Sequence, residues 1–336
     1  MLKEAMLYEK LDAGRVHCFL CSHNCKIAEG KFGICGVRQN VKGELNTLVW
    51  ADVIASHVDP IEKKPLYHFL PGSKSFSIAT IGCNFKCGFC QNWQISQVSK
   101  ETAFDLDTYE LKPEEVLREA KKSFCKSISY TYTEPTIFFE YAYDTAKLAK
   151  KEGLYNIFVT NGFMTKEAIK VIRPYLDAAN IDLKFFKESS YNNICKARLQ
   201  PVLDSIKAMN DLGIWVEITT LIIPGLNDSR EELKGISDFI ASINKSMPWH
   251  ISAFHPDYKY ADYQPTPIEI LKKAYDIGRK SGLNFVYLGN VPEEGNTYCP
   301  GCNSLLVRRE YFSVIENNIK SGKCCKCNIA IPGTWD

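Results

Sequence analysis

Cys83, Cys87 and Cys90 are spaced C-x3-C-x2-C within the stretch Gly82-Cys83-Asn84-Phe85-Lys86-Cys87-Gly88-Phe89-Cys90-Gln91-Asn92-Trp93. Thiolates at this spacing can wrap one face of a cubane cluster, holding all but one of its irons and leaving the last without a protein ligand. An unfilled coordination position lets a substrate or cofactor bind the metal directly, as at an open catalytic zinc. The alternative is a zinc loop completed by a distant histidine such as His68. Zinc sites, however, more often pair C-x2-C with a second knuckle.

The other cysteines fall into two groups. Cys18, Cys21, Cys25 and Cys35 are spaced C-x2-C-x3-C-x9-C, with Gly30 and Gly33 allowing the backbone to double back. Four thiolates so close in sequence fit one closed site, and the spacing leaves zinc and an auxiliary iron–sulfur cluster both open. His23, inside the box, is a further candidate ligand. Near the other end, Cys299/Cys302 and Cys324/Cys327 form two C-x2-C knuckles, a zinc-ribbon signal with a rubredoxin-like iron site as the minor alternative. Cys325 then points elsewhere, and Arg308, Arg309, Lys320 and Lys323 read as a solvated face or a docking surface. Cys125 and Cys195 read as small apolar core residues.

These groups need a scaffold. The run Ser75–Ile81 is apolar and β-branched and feeds the first cysteine loop. From there to about residue 290, short apolar runs at 75–81, 126–132, 154–160, 178–184, 214–223, 249–254 and 283–288 alternate with amphipathic stretches, the pattern of parallel βα units. Helix starts are marked by Pro113-Glu114-Glu115, Thr136, Thr165, Ser229 and Thr266-Pro267, and Gly153 marks a stop. Six βα units and a further strand predict an α/β fold built as an open, partial (β/α)6 TIM-like barrel, with chemistry at the C-terminal ends of the strands. Those ends are polar: Thr133-Glu134, Thr160-Asn161, Asp182-Leu183-Lys184 and His255. Residues 41–58 read as short strands of a cap and 59–72, rich in proline, as a connector. The expected division is an N-terminal Cys-rich module (1–70), a core (71–290) and a C-terminal zinc-ribbon-like module (291–336).

Composition bounds the function. The chain has 336 residues, 45% of them hydrophobic, enough for a substantial core. Its formal charge of +2 supplies no field that would draw it to nucleic acid or an anionic membrane. No stretch reads as a signal peptide or a spanning helix, so a cytoplasmic location is expected, and there 14 cysteines read as metal ligands rather than disulfides.

The first cysteine loop, with aromatic Phe89 just before its last cysteine, resembles the signature of radical S-adenosylmethionine (SAM) enzymes. The resemblance implies that Cys83, Cys87 and Cys90 hold a [4Fe-4S] cluster, that the amino and carboxylate groups of SAM chelate its open iron, and that Phe89 lies near the adenine. Residues 75 to 290 are similar to the branch containing pyruvate formate-lyase activating enzyme. There a Gly-Gly-Glu motif contacts the SAM amino group; here Tyr132-Thr133-Glu134 stands in its place without the glycines. Thr160 and Asn161 join the implied SAM cradle. Asp182-Leu183-Lys184 matches an Asp-Leu-Lys that contacts the SAM ribose or carboxylate, Ile222 to Asp228 matches a strand-end turn, and His255 falls where the branch uses a histidine near SAM.

Over the full length, the segments 18–25, 33–40 and 130–136 resemble the radical SAM member of the AmmeMemoRadiSam system, which implies Memo-type and Amme-type partners. The activity so implied is reductive cleavage of SAM to a 5′-deoxyadenosyl radical that takes hydrogen from a protein or small molecule. An electron donor such as flavodoxin or ferredoxin would supply it, with zinc at the C-terminal knuckles. The competing reading is an iron–sulfur electron carrier or assembly factor that does not cleave SAM, against which Glu134, Asp182 and Lys184 count.

Overall fold

The computed structural model describes residues 2–99, 102, 106–292 and 295–335. Its centre is one open sheet of eight strands: β1 (Ala55–Pro60), β2 (Lys74–Ala79), β3 (Ser127–Tyr130), β4 (Tyr155–Thr160), β5 (Ala178–Asp182), β6 (Trp215–Ile222), β7 (Trp249–Ala253) and β8 (Val286–Gly289). From β2 to β8 every neighbour is parallel and the spatial order is the sequence order. Each crossover carries a helix: α1 (Pro113–Lys122), α2 (Phe139–Lys151), α3 (Lys166–Ile172), α4 (Leu199–Asp211), α5 (Arg230–Ile243) and α6 (Ile268–Lys280). The buried strands are mostly apolar or small, as sheets covered by helices require, with Asn156, Asn180, Glu217 and His250 among the buried polar exceptions. The expected helix signals act as such: Thr165 and Ser229 accept from the amides of Ala168 and Glu232, and Gly153 takes φ +75° after α2. Thr136 lies in a 3-10 turn, Pro135–Phe138, ahead of α2.

One element differs from expectation. Residues 55–60, read as the end of a cap and the start of a connector, form β1, which runs antiparallel along β2 with Val58 opposite Phe76. Residues 59–72 read as a connector because they carry three prolines and a glycine, and a carboxylate in a strand is costly to bury. Here Asp59 is matched: Lys64 Nζ at 2.7 Å, Lys63 Nζ at 2.9 Å and Ser77 Oγ at 2.8 Å all donate to it.

Two small modules flank the sheet. The N-terminal one contains two three-stranded sheets, Lys3–Glu4 with Glu44–Thr47 and Arg38–Val41, and Tyr8–Lys10 with Val16–Cys18 and Cys25–Ile27. It is fixed to α2 by a buried ion pair, Arg38 Nη2 to Glu140 Oε1 at 2.8 Å, and Glu140 also accepts from the Met6 amide. The C-terminal module contains a three-stranded sheet (Thr297–Tyr298, Leu305–Glu310, Ser313–Asn317) and a two-stranded one (Ile319–Lys320, Lys323–Cys324). Arg309, expected on a solvated face, is buried there instead, donating to the carbonyls of Gly295 and Tyr67. Among the described residues no helix is long and apolar enough to cross a membrane.

His68 joins this module to the N-terminal end of the sheet. Its Nδ1 donates to the Pro332 carbonyl (2.8 Å), so Nε2 accepts from Tyr287 Oη (2.7 Å), and the ring packs against Phe285 and Trp335. A role as a distant zinc ligand for the first cysteine loop is thereby corrected, since both ring nitrogens are used at the opposite end of the strands. Burial pulls His68 down to about 4. Its folded value lies below the unfolded one, so its contribution is present above about 6.5 and is lost as pH falls through about 4. The expected result is a melting temperature that falls across that window, with a shallower slope in His68→Asn; equal slopes in the two proteins would remove His68 from the account.

Candidate active site

The first cysteine loop begins where β2 ends. Gly82 takes φ +94°, and a Cβ there would sit 2.8 Å from Val37 Cγ1 and 3.0 Å from the Cys35 carbonyl oxygen. Only glycine allows that conformation together with that approach. Beyond it Cys83 and Cys87 are buried and Cys90 half-buried, and all three line a cavity of about 500 Å³. The cavity lies at the C-terminal ends of the parallel strands, for its wall includes Thr131, Thr160, Asp182, Leu221, Ser252 and Asn290.

Donors face the sulfurs. The Phe85 amide lies 3.3 Å from Cys83 Sγ and Asn161 Nδ2 3.9 Å, while Ser96 Oγ is 3.1 Å from Cys90 Sγ. Burial pushes the Cys83 thiol well up, and Cys87 is pushed up by its neighbour Cys195 and by burial. Buried sulfurs of this kind stay thiolate when bound to a metal centre. Among the described residues, the one group of three or more ligand atoms within 4.8 Å of one another is Cys299, Cys302, Cys324 and Cys327, so at least one pair of sulfurs in the trio lies farther apart than that. A polynuclear cluster is what three thiols so placed at a cavity wall can hold.

Glu134 is buried at the end of β3 and its carboxylate is held from two sides. Oε1 accepts from Thr136 N (3.0 Å), Thr136 Oγ1 (2.5 Å) and Thr160 Oγ1 (2.7 Å); Oε2 accepts from Asn161 N (2.8 Å). Burial raises its pKa and these donors pull it back. Asn161 is itself anchored, Nδ2 donating to Asn84 Oδ1 at 2.7 Å. Thr133 lines the cavity and its hydroxyl donates to the Thr80 carbonyl (2.8 Å). Tyr132, standing where glycine was expected, takes φ +63°, an unfavourable conformation for an aromatic residue. Its hydroxyl donates to Asp59, the Lys64 ammonium lies 4.6 Å over its ring, and Asn92 Nδ2 donates to its carbonyl (2.9 Å). The backbone therefore follows a path suited to glycine, pinned by contacts to β1 and the segment after it.

Asp182 and Lys184 both line the cavity as an ion pair, Nζ to Oδ2 at 2.6 Å, and the Lys184 ammonium lies 5.9 Å from the centre of the Phe89 ring. Leu183 between them is a correction: it is buried in the core, its carbonyl accepting from Thr220 Oγ1 (2.9 Å). The turn after β6 is structural, because Asn227 donates to the carbonyls of Lys184 and Leu221 and accepts from the Ile223 amide. His255 is exposed and outside the cavity lining, since Thr266 Oγ1 captures the Phe254 amide at 2.8 Å and turns the chain away; Ser252 and Asn290 line that side instead. Asn84, Cys195, Thr219, Ser252 and Asn290 were missed. Asn84 alone carried a signal, as a polar residue set between two cysteines.

The four C-terminal thiols form a compact set, with Cys299 Sγ 3.5 Å from Cys327 Sγ and Cys302 Sγ 3.7 Å from Cys324 Sγ. A tetrahedral ion with thiolates at about 2.3 Å needs sulfurs about 3.8 Å apart, so this group can bind one metal ion. Cys325 is exposed and outside the group.

A cubane-spaced thiol trio at the mouth of a parallel α/β sheet, beside a caged carboxylate, is the arrangement of one large class. Residues 77–240 match the model of the Radical SAM superfamily, and the chain belongs to that superfamily, whose members use a [4Fe-4S] cluster and SAM. An uncharacterised protein of Methanocaldococcus jannaschii is 44% identical over 97% of this chain and 98% of its own length. The pyruvate formate-lyase-activating enzyme of Clostridium pasteurianum is 25% identical over 57% of this chain and 84% of its own. In fold, a radical SAM methyltransferase from Sphaerobacter thermophilus aligns with a TM-score of 0.52 at 14% identity, covering 66% of this chain and 67% of that one.

Proposed function

We propose that the protein is a cytoplasmic radical SAM enzyme whose open sheet serves as a partial (β/α)6 barrel. In this reading Cys83, Cys87 and Cys90 hold the [4Fe-4S] cluster, and Phe89, Thr133, Glu134, Thr160, Asn161, Asp182 and Lys184 form the SAM cradle. The observation that carries it is that the thiol trio, Glu134 and the Asp182–Lys184 pair line one cavity. When bound, the cluster and SAM together supply one-electron cleavage of the sulfonium to methionine and a 5′-deoxyadenosyl radical. Glu134 lines the cavity and its Oε2 accepts from the Asn161 amide, and we assign this carboxylate to an ammonium. Asp182 and Lys184 offer a carboxylate and a cation to the ribose and carboxylate ends. The apolar ring of Phe89 forms the wall beside the last cysteine.

The likeness to an activating enzyme supports a protein glycine as hydrogen donor; the full-length resemblance to the AmmeMemoRadiSam member supports Memo-type and Amme-type partners, with flavodoxin or ferredoxin as reductant. Anaerobic protein, reductant and SAM should yield deoxyadenosine and methionine in equal amounts. With extract from deuterium-grown cells separated by size, deuterium reaching deoxyadenosine from the polypeptide fraction supports the activase reading, and deuterium reaching it from the metabolite fraction supports a small-molecule one. Iron retained without any cleavage would return the electron-carrier reading.

For the C-terminal thiols we propose zinc. The sulfur spacing supports it, and in a module this small the metal supplies much of the folding free energy. A chelator is expected to release about one zinc per chain and open the region from 295 onward to limited proteolysis while the parallel sheet stays resistant. Mass spectrometry of the fragments reads this directly; uniform resistance after metal loss would refute a folding role.

A further inference from the structure

We propose that Cys18, Cys21, Cys25 and Cys35 hold a second iron–sulfur cluster rather than a zinc ion. All four line one cavity, walled by Leu20, Ile27 and Ile137. Two arms of the box are set by the sheet, in which Cys18 pairs directly with Cys25, and the turn holding Cys35 closes the far side. The thiols thus share a chamber, and their spacing decides what fits it.

One zinc demands sulfurs about 3.8 Å apart, and the C-terminal four meet that demand at 3.5 and 3.7 Å. No three of the N-terminal thiols come within 4.8 Å of one another, since among the described residues only the C-terminal group does so. In this respect the box matches the trio Cys83, Cys87 and Cys90. Sulfide-bridged irons separate their thiolates, so four cysteines that face one chamber without drawing together to single-ion distance suit a cluster. Arg38 also lines the chamber, its guanidinium held there by the buried pair with Glu140.

The chamber abuts the first cysteine loop. The Cys35 carbonyl and Val37 pack on Gly82, and His23, which lines the chamber, has its Nε2 2.8 Å from the carbonyl oxygen of Asn84, the residue after Cys83. His23 therefore bridges the two loops instead of serving as a ligand through that nitrogen. Four thiolates can ligate every iron of a cubane, so this centre would have no open corner for SAM. It would place a second one-electron centre beside the one that cleaves SAM. The ligand assignment stands on spacing alone; its redox use rests on the function proposed above.

Metal analysis of the anaerobically purified full-length protein tests this without any substitution: about eight irons and one zinc per chain are expected, against about four irons and two zincs if the box binds zinc. The triple variant Cys83→Ala/Cys87→Ala/Cys90→Ala should keep about four irons and a reduced-cluster electron paramagnetic resonance signal that SAM leaves unchanged. The variant Cys18→Ala/Cys21→Ala/Cys25→Ala/Cys35→Ala should keep the SAM-responsive signal alone. Absence of iron from the triple variant, with about two zincs in the unsubstituted protein, overturns the inference and leaves the proposed function intact. Iron in the triple variant without SAM cleavage by the unsubstituted protein does the reverse.

Discussion

Cys87→Ser is expected to reduce deoxyadenosine formation to the uncatalysed background while leaving the sheet folded. Cys87 is buried and lines the cavity with Cys83 and Cys90, whereas the neighbouring Cys195 is not part of the lining. Serine is close in size, which confines the perturbation to ligation. A serine hydroxyl is a poor ligand for a centre built on thiolates, and loss of one of three ligands releases the cluster. The paired measurement is iron content, expected to fall by about four per chain. Wild-type deoxyadenosine production by this variant would sink the assignment of the site.

The second large effect is expected at Glu134. Its carboxylate receives hydrogen bonds from the backbone amides of Thr136 and Asn161 and the hydroxyls of Thr136 and Thr160. Glu134→Ala would strand those donors in a buried site, each at about 1–3 kcal/mol where water does not replace the carboxylate, and would remove the acceptor facing an ammonium. We expect SAM affinity to fall at least about 100-fold, equivalent to about 3 kcal/mol, measured by equilibrium binding to the loaded protein. Glu134→Gln should fall between the two, because an amide can still accept at one oxygen but meets a donor with its nitrogen. Unchanged affinity in both variants would reduce Glu134 to a purely structural anchor for β3 and β4.

Much of this site was legible in the sequence because its chemistry depends on cysteine spacing and on polar residues that interrupt apolar strands at one phase. Cys83, Glu134, Asn161 and Lys184 were each visible as such an interruption, and the structure brings them to one cavity. What stayed hidden depends on distant partners. β1 was masked by the prolines that follow it and by Asp59, whose burial makes sense only once Lys64, five residues on, is known to fold back on it. His255 looked functional because it follows a strand, yet the bond from the Phe254 amide to Thr266 decides where it points. Ser252 and Asn290 carry no chemistry of their own and become part of the site only through sheet geometry. Sulfur spacing, which separates the two kinds of cysteine box, is likewise absent from residue spacing alone: Cys18 to Cys35 and Cys299 to Cys327 both read as closed four-ligand sets.

The order of the sheet bears on how the chain is made. From β2 to β8 each strand pairs with its immediate predecessor, so a nascent chain can add strands in the sequence in which they leave the ribosome. The base is different. Thr334 exchanges hydrogen bonds with His68 and Leu70, and the Pro332 carbonyl takes the His68 ring proton. Residues 332 to 334 follow every strand of the sheet in sequence, so those contacts close its base only after β2 to β8 have all been made.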